Sequence, residues 1–207
     1  MPRARRQLID EGYYHIIQRG NNRRAIFHRP RDFQAYFVLL KEGLDRSPGT
    51  LLHHYCFMPN HMHLLIRVGA SADLPRLMHW VNLSYTHYYR RAYDYVGHLF
   101  QGRYKTLPIR FDRYLLECAR YIERNPLRAG LANHPGDYAW SSYRFYAAGE
   151  PNVLLTPTPH YADLGPTLDD RRARYQDRVL EPHPYEDLVE LQLAGRSSVG
   201  TGPKGTG

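Results

Sequence analysis

The apolar and polar positions of the chain alternate between strand and helix patterns up to about residue 110. Short apolar runs bounded by turn residues predict strands, and apolar residues at helical spacing predict helices. Pro59-Asn60 marks a hairpin turn between two of the strands. The predicted elements are, in order, a strand at 13–18, a helix capped by Asp32 with the apolar face Phe33, Phe37, Leu40 and Leu44, strands at 51–57 and 61–68, a helix at 73–93, and strands at 97–100 and 104–110.

A further helix follows with a regular apolar stripe made by Leu115, Cys118, Ala119 and Ile122. These four residues follow the i, i+3, i+4, i+7 pattern of a helix face that packs on a core. We expect Asp112 to cap its first turn. We expect the helix to end at Asn125, since Pro126 comes next and proline lacks the backbone N–H that a helix interior needs.

The order of strand, helix, two strands, helix and strand predicts a ferredoxin-like α+β fold. In this fold the helices pack on one face of an antiparallel sheet, and the other face is expected to be free for a site. Alternate residues of a strand point to opposite faces. Met62, Leu64 and Ile66 therefore meet the helices, and His61 and His63 lie on the free face.

The composition changes after residue 147, which predicts three parts of the chain. Residues 1–147 form the main domain, and 148–195 form an extension with short helices at 169–180 and 185–193. Residues 196–207 are rich in Gly, Ser and Thr, which is typical of a disordered tail.

The charge balance indicates a nucleic acid as the partner. The net charge is +8, the sequence pI is about 9.5, and the chain contains 18 tyrosines. Arginine with many aromatic residues suits the binding of single-stranded nucleic acid by phosphate contacts and base stacking. No apolar run is long enough to span a membrane and no secretory leader is present, so the expected location is the cytoplasm.

The triplet His61-Met62-His63 is the first candidate for chemistry. Its two imidazoles project from one face of a strand and provide half of a metal site, although two partly buried histidines in a sheet give the same pattern. Tyr121 and Asn125 lie four residues apart on one flank of a helix. If this helix borders the same sheet face, a phenol and an amide oxygen meet the histidines. Otherwise Tyr121 is a boundary aromatic and Asn125 a helix-ending residue.

Several motifs in the same order as in a known family extend this picture over roughly residues 10–180. The chain resembles the REP-associated tyrosine transposases, which are single-tyrosine HUH transposases of the IS200-type superfamily. The segments that carry the resemblance are Tyr14–Arg23, Phe57–Leu65, Phe100–Lys105, Tyr121–Leu131, Trp140–Tyr143 and Leu154–Pro157.

The resemblance implies an enzyme that nicks and rejoins single-stranded DNA next to hairpins formed by repeated extragenic palindromes. It implies that His61, His63 and Asn125 bind Mg²⁺ or Mn²⁺, and that Tyr121 becomes joined to the 5′ phosphate. A monomer or a homodimer is compatible with a single Tyr121. The expected DNA contacts are Arg19, Arg23 and Arg24 near the start of the chain, and Arg103, Lys105 and Arg110 on charge and position alone.

Three other functions stay open at this point. A domesticated protein can hold DNA hairpins without cutting them. A replication or mobilisation initiator uses the same chemistry, although the short chain without a helicase segment disfavours it. A metal-dependent nuclease can use water in place of Tyr121.

Overall fold

A four-stranded antiparallel sheet forms the centre of the protein, which is described here by a computed structural model covering residues 8–109 and 113–181. The strands pair in the order β2-β3-β1-β4. This order confirms the predicted ferredoxin-like α+β class. The strands are β1 (Tyr13–Arg19), β2 (Leu51–Met58), β3 (His61–Arg67) and β4 (Lys105–Ile109).

Six α-helices surround the sheet in the described part of the chain. None of them is long and apolar enough to cross a membrane. They are α1 (Pro30–Asp45), α2 (Asp73–Tyr93), α3 (Arg113–Arg128), α4 (Tyr143–Ala148), α5 (Pro159–Ala162) and α6 (Leu168–Leu180), with short 3-10 turns at Asn21–Arg23 and Pro135–Asp137.

Four sequence predictions are either wrong or fall on residues outside the described part of the chain. The predicted strand at 97–100 is wrong: Phe100 forms only an isolated bridge with Gly20. The predicted cap Asp112, residue Arg110 and the predicted helix at 185–193 lie outside the described residues.

The first face of the sheet carries α1 and α2, as the apolar pattern predicts. Met62, Leu64 and Ile66 are fully buried and join the core against Leu77 and Val81 of α2. Large apolar side chains from both helices complete this layer, and it is the larger of the two cores that flank the sheet.

The second face is not free, contrary to the expectation from the sequence. Helix α3 packs on it through Leu115, Cys118 and Ile122, which meet Cys56 and Leu65. The physical reason is that the strand residues pointing this way are also apolar, and an apolar sheet face must be covered. The two histidines therefore lie between the sheet and a helix.

The prediction that α3 ends at Asn125 is also wrong. The helix runs through Pro126 to Arg128, so the missing N–H costs one hydrogen bond without ending the helix. The end comes three residues later, where the N–H of Ala129 donates to the Asn125 carbonyl and Gly130 adopts a positive φ of 66°.

Asp32 anchors the start of α1 but is not its cap. The helix begins two residues earlier at Pro30, whose ring fixes a helical φ. The buried carboxylate accepts hydrogen bonds from the N–H groups of His28 and Arg29, and from the hydroxyls of Tyr88 and Tyr93 at 2.8 and 2.6 Å.

These donors set the acidity of Asp32. Burial alone raises the pKa of the carboxyl. The hydrogen bonds from Tyr93, His28, Tyr88 and Arg29 outweigh this effect and hold the pKa below its ordinary value of 3.8. Because the unfolded chain takes up a proton before the folded protein does, this stabilisation is complete above the ordinary pKa and is lost as the pH falls through the folded value.

We predict that Asp32→Asn lowers the free energy of unfolding by about 2 kcal/mol at neutral pH, since it weakens several bonds to a buried charge. It should also flatten the decline of stability below about pH 4. Urea denaturation between pH 2 and 7 measures both. Asp45→Asn is the matched control on α1, where the exposed carboxylate pairs with Lys41 and the loss should stay below about 1 kcal/mol. Equal losses in the two variants would contradict the role of Asp32.

Candidate active site

The His-x-His pair lies at the beginning of β3, on the face covered by α3. Because β3 is flanked by β2 and β1, His61 stands between Met58 and Arg19 in the sheet register. His63 is fully buried two residues further on, and the two imidazole rings are 4.9 Å apart at 84°. Strand alternation thus gives the common orientation that the sequence predicts.

Helix α3 brings Tyr121 and Asn125 to these histidines. The ring of Tyr121 packs edge-on against His63, with centroids 5.4 Å apart. The Asn125 side chain hydrogen-bonds to His61, and its amide nitrogen donates to the Tyr121 carbonyl at 2.7 Å. The apolar stripe fixes which flank of α3 faces His61, so the four residues singled out in the sequence meet at one place.

His15 is a member of this cluster that the sequence analysis did not select. It projects from β1 on the same face, and its Nε2 lies 2.9 Å from Nδ1 of His63. Its ring also contacts the Tyr121 ring at a centroid distance of 5.5 Å. The sequence contains no signal for this contact, because it depends on the β1–β3 register.

The three imidazoles are neutral at physiological pH. Burial lowers the pKa of His15 to about 3. Burial and the charge of Arg19 lower the pKa of His61 to about 4, and the Asn125 hydrogen bond offsets part of this shift. Burial also places the pKa of His63 well below its usual range, with smaller contributions from the neighbouring histidines and from the positive charges of Arg19 and Arg128. Neutral imidazole is the form that binds metals.

Positive charge surrounds the cluster. Arg19 is the last residue of β1 and pairs with His61 in the sheet. Lys105 is the first residue of β4 and lies on the same face of the sheet. The guanidinium carbon of Arg128 lies 5.2 Å from the centre of the Tyr121 ring. Arg128 was missed because the helix was expected to stop at Asn125. An anionic group such as a phosphodiester suits this environment.

Asn60 connects the cluster to the arginine-rich turn after β1. Its Oδ1 lies 2.6 Å from Nδ1 of His61, and its amide nitrogen donates to the Arg23 carbonyl at 3.2 Å. The side chains of Arg23 and Arg24 are exposed. These two predicted DNA contacts therefore lie on a loop that borders the histidines.

The two remaining basic residues predicted to contact DNA are not placed at the histidine cluster by the structure. Arg103 is exposed and lines a cavity of about 350 Å³ together with Gln18 and Asn82, on the α2 side of the sheet. It is not among the residues that surround the histidines. Arg110 lies outside the described residues.

The described residues thus form an α+β protein whose sheet carries a His-x-His pair opposite a tyrosine on a helix. The sequence model of the IS200-like transposase family matches residues 9–125, which is more than half of the chain. The chain belongs to the IS200-like transposase family.

Solved structures with a similar fold include a transposase. A REP-associated tyrosine transposase bound to a REP hairpin superimposes with a TM-score of 0.63 at 19% identity, covering 76% of this chain and 93% of that one. A candidate transposase from Deinococcus radiodurans R1 aligns with a TM-score of 0.41 at 17% identity, covering 59% of this chain and 97% of that one. No curated protein matches the chain.

Proposed function

We propose that the protein is a metal-dependent endonuclease and strand transferase that cuts single-stranded DNA next to palindromic hairpins. The observation that carries the proposal is the packing of Tyr121 against His63, with Asn125 and Arg128 on the same helix flank. Membership of the IS200-like transposase family supports it, and so does the similar fold of a transposase captured on a REP hairpin.

His61, His63 and Asn125 are the residues that would hold Mg²⁺ or Mn²⁺. The Nε2 atom of His63 is buried and has no hydrogen-bond partner. If His63 donates from Nδ1 to His15, its Nε2 keeps the lone pair that a metal needs. Among the described residues no group of three His, Cys, Asp or Glu forms a metal cluster, so the donors are two imidazoles and one amide oxygen. Three protein ligands would leave coordination positions of the metal ion open for phosphate oxygens.

In the proposed reaction the phenol of Tyr121 loses its proton to solvent and its oxygen attacks the phosphorus of the scissile bond. The P–O3′ bond breaks, the 3′ oxygen takes up a proton, and the 5′ phosphate stays joined to Tyr121. A divalent cation supplies charge stabilisation for the phosphodiester. Because the phosphotyrosine keeps the energy of the broken bond, attack by another 3′ hydroxyl rejoins a strand.

The exposed surface formed by the loop after β1, the start of α1 and the end of α2 suits single-stranded DNA. The guanidinium groups of Arg24 and Arg31 lie over the rings of Tyr95 and Tyr93, at 5.5 and 6.0 Å. The Tyr93 hydroxyl donates to buried Asp32, which fixes the ring. Phosphates can bind these exposed arginines and bases can stack on their guanidinium planes.

We predict that the wild-type protein forms a covalent adduct with a labelled hairpin that carries its 5′ single-stranded flank, in the presence of Mn²⁺ or Mg²⁺. Tyr121→Phe should abolish the adduct, since it removes the attacking oxygen. A denaturing protein gel measures the adduct. Tyr114→Phe is the matched control, because it makes the same change on α3 seven residues earlier and should retain the adduct.

Two results of this assay would favour other functions. Cleavage that survives Tyr121→Phe would indicate a nuclease that uses water. Retention of the hairpin by wild-type protein without any cleavage would indicate a binding protein.

We predict that Mn²⁺ binds to the apoprotein weakly and binds more tightly when uncut hairpin DNA is present, since the cluster has no carboxylate of its own and is surrounded by positive charge. Electron paramagnetic resonance titration measures the affinity. His63→Ala should abolish binding, and His15→Leu should weaken it about 10–100-fold because it frees the His63 ring. His87→Ala, on the exposed side of α2, should have no effect. Binding that survives His63→Ala would contradict the site.

We predict that Arg24→Ala/Arg31→Ala weakens hairpin binding and lowers its salt dependence, with the slope of log K against log salt reduced by about 1.4 for two lost phosphate contacts. Fluorescence anisotropy in the Tyr121→Phe background without metal separates binding from cleavage. Arg46→Ala is the control, because Arg46 stacks on Trp80 in the same manner at the far end of α1. A loss in this single-charge control that is half of the loss in the double variant would show that only net charge matters.

A further inference from the structure

A buried carboxylate on α3 joins three other parts of the chain. Glu123 has no exposed surface. One of its oxygens lies 3.0 Å from Nδ1 of His54 on β2 and accepts the hydroxyl of Ser142, just before α4, at 2.5 Å. Its other oxygen accepts the hydroxyl of Tyr175 on α6 at 2.7 Å. Each oxygen of the carboxylate is therefore hydrogen-bonded.

The position of Glu123 on the helix gives these bonds a consequence. It lies two residues after Tyr121 and two before Asn125, and each step of two residues turns an α-helix by about 200°. Tyr121 and Asn125 therefore face the histidines while Glu123 faces the opposite flank. The bonds of Glu123 restrain the rotation of α3 about its own axis.

Helix α6 holds α3 through the next residue as well. The guanidinium of Arg124 donates to the carbonyl of Val179 at 3.1 Å and to the carbonyl of Leu180. Cationic groups at the C-terminal end of a helix also interact favourably with its dipole. Two adjacent residues of α3 are thus bonded to one helix of the C-terminal region.

The partners of Glu123 are packed against each other through stacked rings. The rings of His54 and Tyr146 stack at 4.2 Å, and Tyr146 stacks on Tyr175 at 5.2 Å. Ser142, Tyr146 and Tyr175 all follow residue 125, where the match to the transposase family ends. A part of the chain beyond the family match therefore fixes the helix that carries Tyr121.

We infer that Glu123 is a positioning residue, and that α6 sets the rotation of α3 and thereby the placement of Tyr121 against His63. The catalytic consequence rests on the proposed function, whereas the placement of the ring does not. The C-terminal region thus contributes to the geometry of the site by fixing the position of Tyr121. Its effect on the rate can be large, because a displacement of about 1 Å in a reacting group can lower a rate by two orders of magnitude.

The placement is tested without DNA or metal by 3-fluorotyrosine incorporated at position 121 of the full chain. The ¹⁹F resonance senses the rings of His15 and His63. Tyr175→Phe removes one bond to Glu123 and keeps the ring stack, so it should shift or split the resonance. The matched control is Tyr161→Phe, which loses an equally buried hydroxyl bond, to the Tyr146 carbonyl, in the same apolar cluster without touching Glu123.

The control should lower the melting temperature to a similar extent and leave the resonance unchanged. An unchanged resonance in Tyr175→Phe, or the same change in both variants, overturns the inference whether or not the wild type cuts DNA. A shifted resonance in a protein that forms no adduct leaves the placement standing and rejects the proposed function.

The catalytic consequence is read from single-turnover adduct formation. Tyr175→Phe should slow it about 10–100-fold while hairpin affinity is unchanged, and Tyr161→Phe should leave the rate unchanged. Glu123→Gln should recover more of the rate than Glu123→Ala, since an amide can still bond to Ser142 and Tyr175. Equal rates for Tyr175→Phe and the wild type would overturn the catalytic part.

Discussion

The packing of α3 on the second face of the sheet is the constraint on which the site depends. Leu115, Cys118 and Ile122 bury against Leu65 and Cys56, and this apolar contact decides where every polar group of the helix points. If α3 were absent from this face, the His-x-His pair would be two histidines on an open sheet. The apolar stripe selects the face of α3 that meets the sheet, and the polar bonds of the helix refine its rotation within that face, because the hydrophobic effect has no directional preference.

The electrostatics of the site follow from the same burial. A covered sheet face removes water from His15, His61 and His63, and the cost of a buried charge keeps the rings neutral. The nearby charges are those of Arg19 and Arg128, and they make the neutral form still more favourable. A neutral donor set within positive charge attracts a phosphate strongly and a free cation weakly. The proposed metal and DNA would therefore bind in a coupled manner.

The sequence predicts the elements of this fold better than their contacts. Local apolar periodicity correctly gave the hairpin and the limits of α2, because both depend on neighbours in the chain. The contact of His15 with His63 depends on strand register, which no local pattern contains. Arg128 was missed because Pro126 was interpreted as a helix end, although the packing of α3 compensates for one missing hydrogen bond.

The burial of Tyr121 is the property that a mechanism for this protein must accommodate. Only 2% of the residue is exposed, between the rings of His15 and His63 and beneath the guanidinium of Arg128. Arg128 is exposed and its guanidinium lies over the Tyr121 ring, whereas the histidines belong to strands of the sheet. A phosphate can bind an exposed guanidinium through charge-assisted hydrogen bonds. Under the proposed function, the phenol oxygen of Tyr121 must become accessible when DNA binds, so that the nucleophile is shielded in the free protein and reachable in the complex.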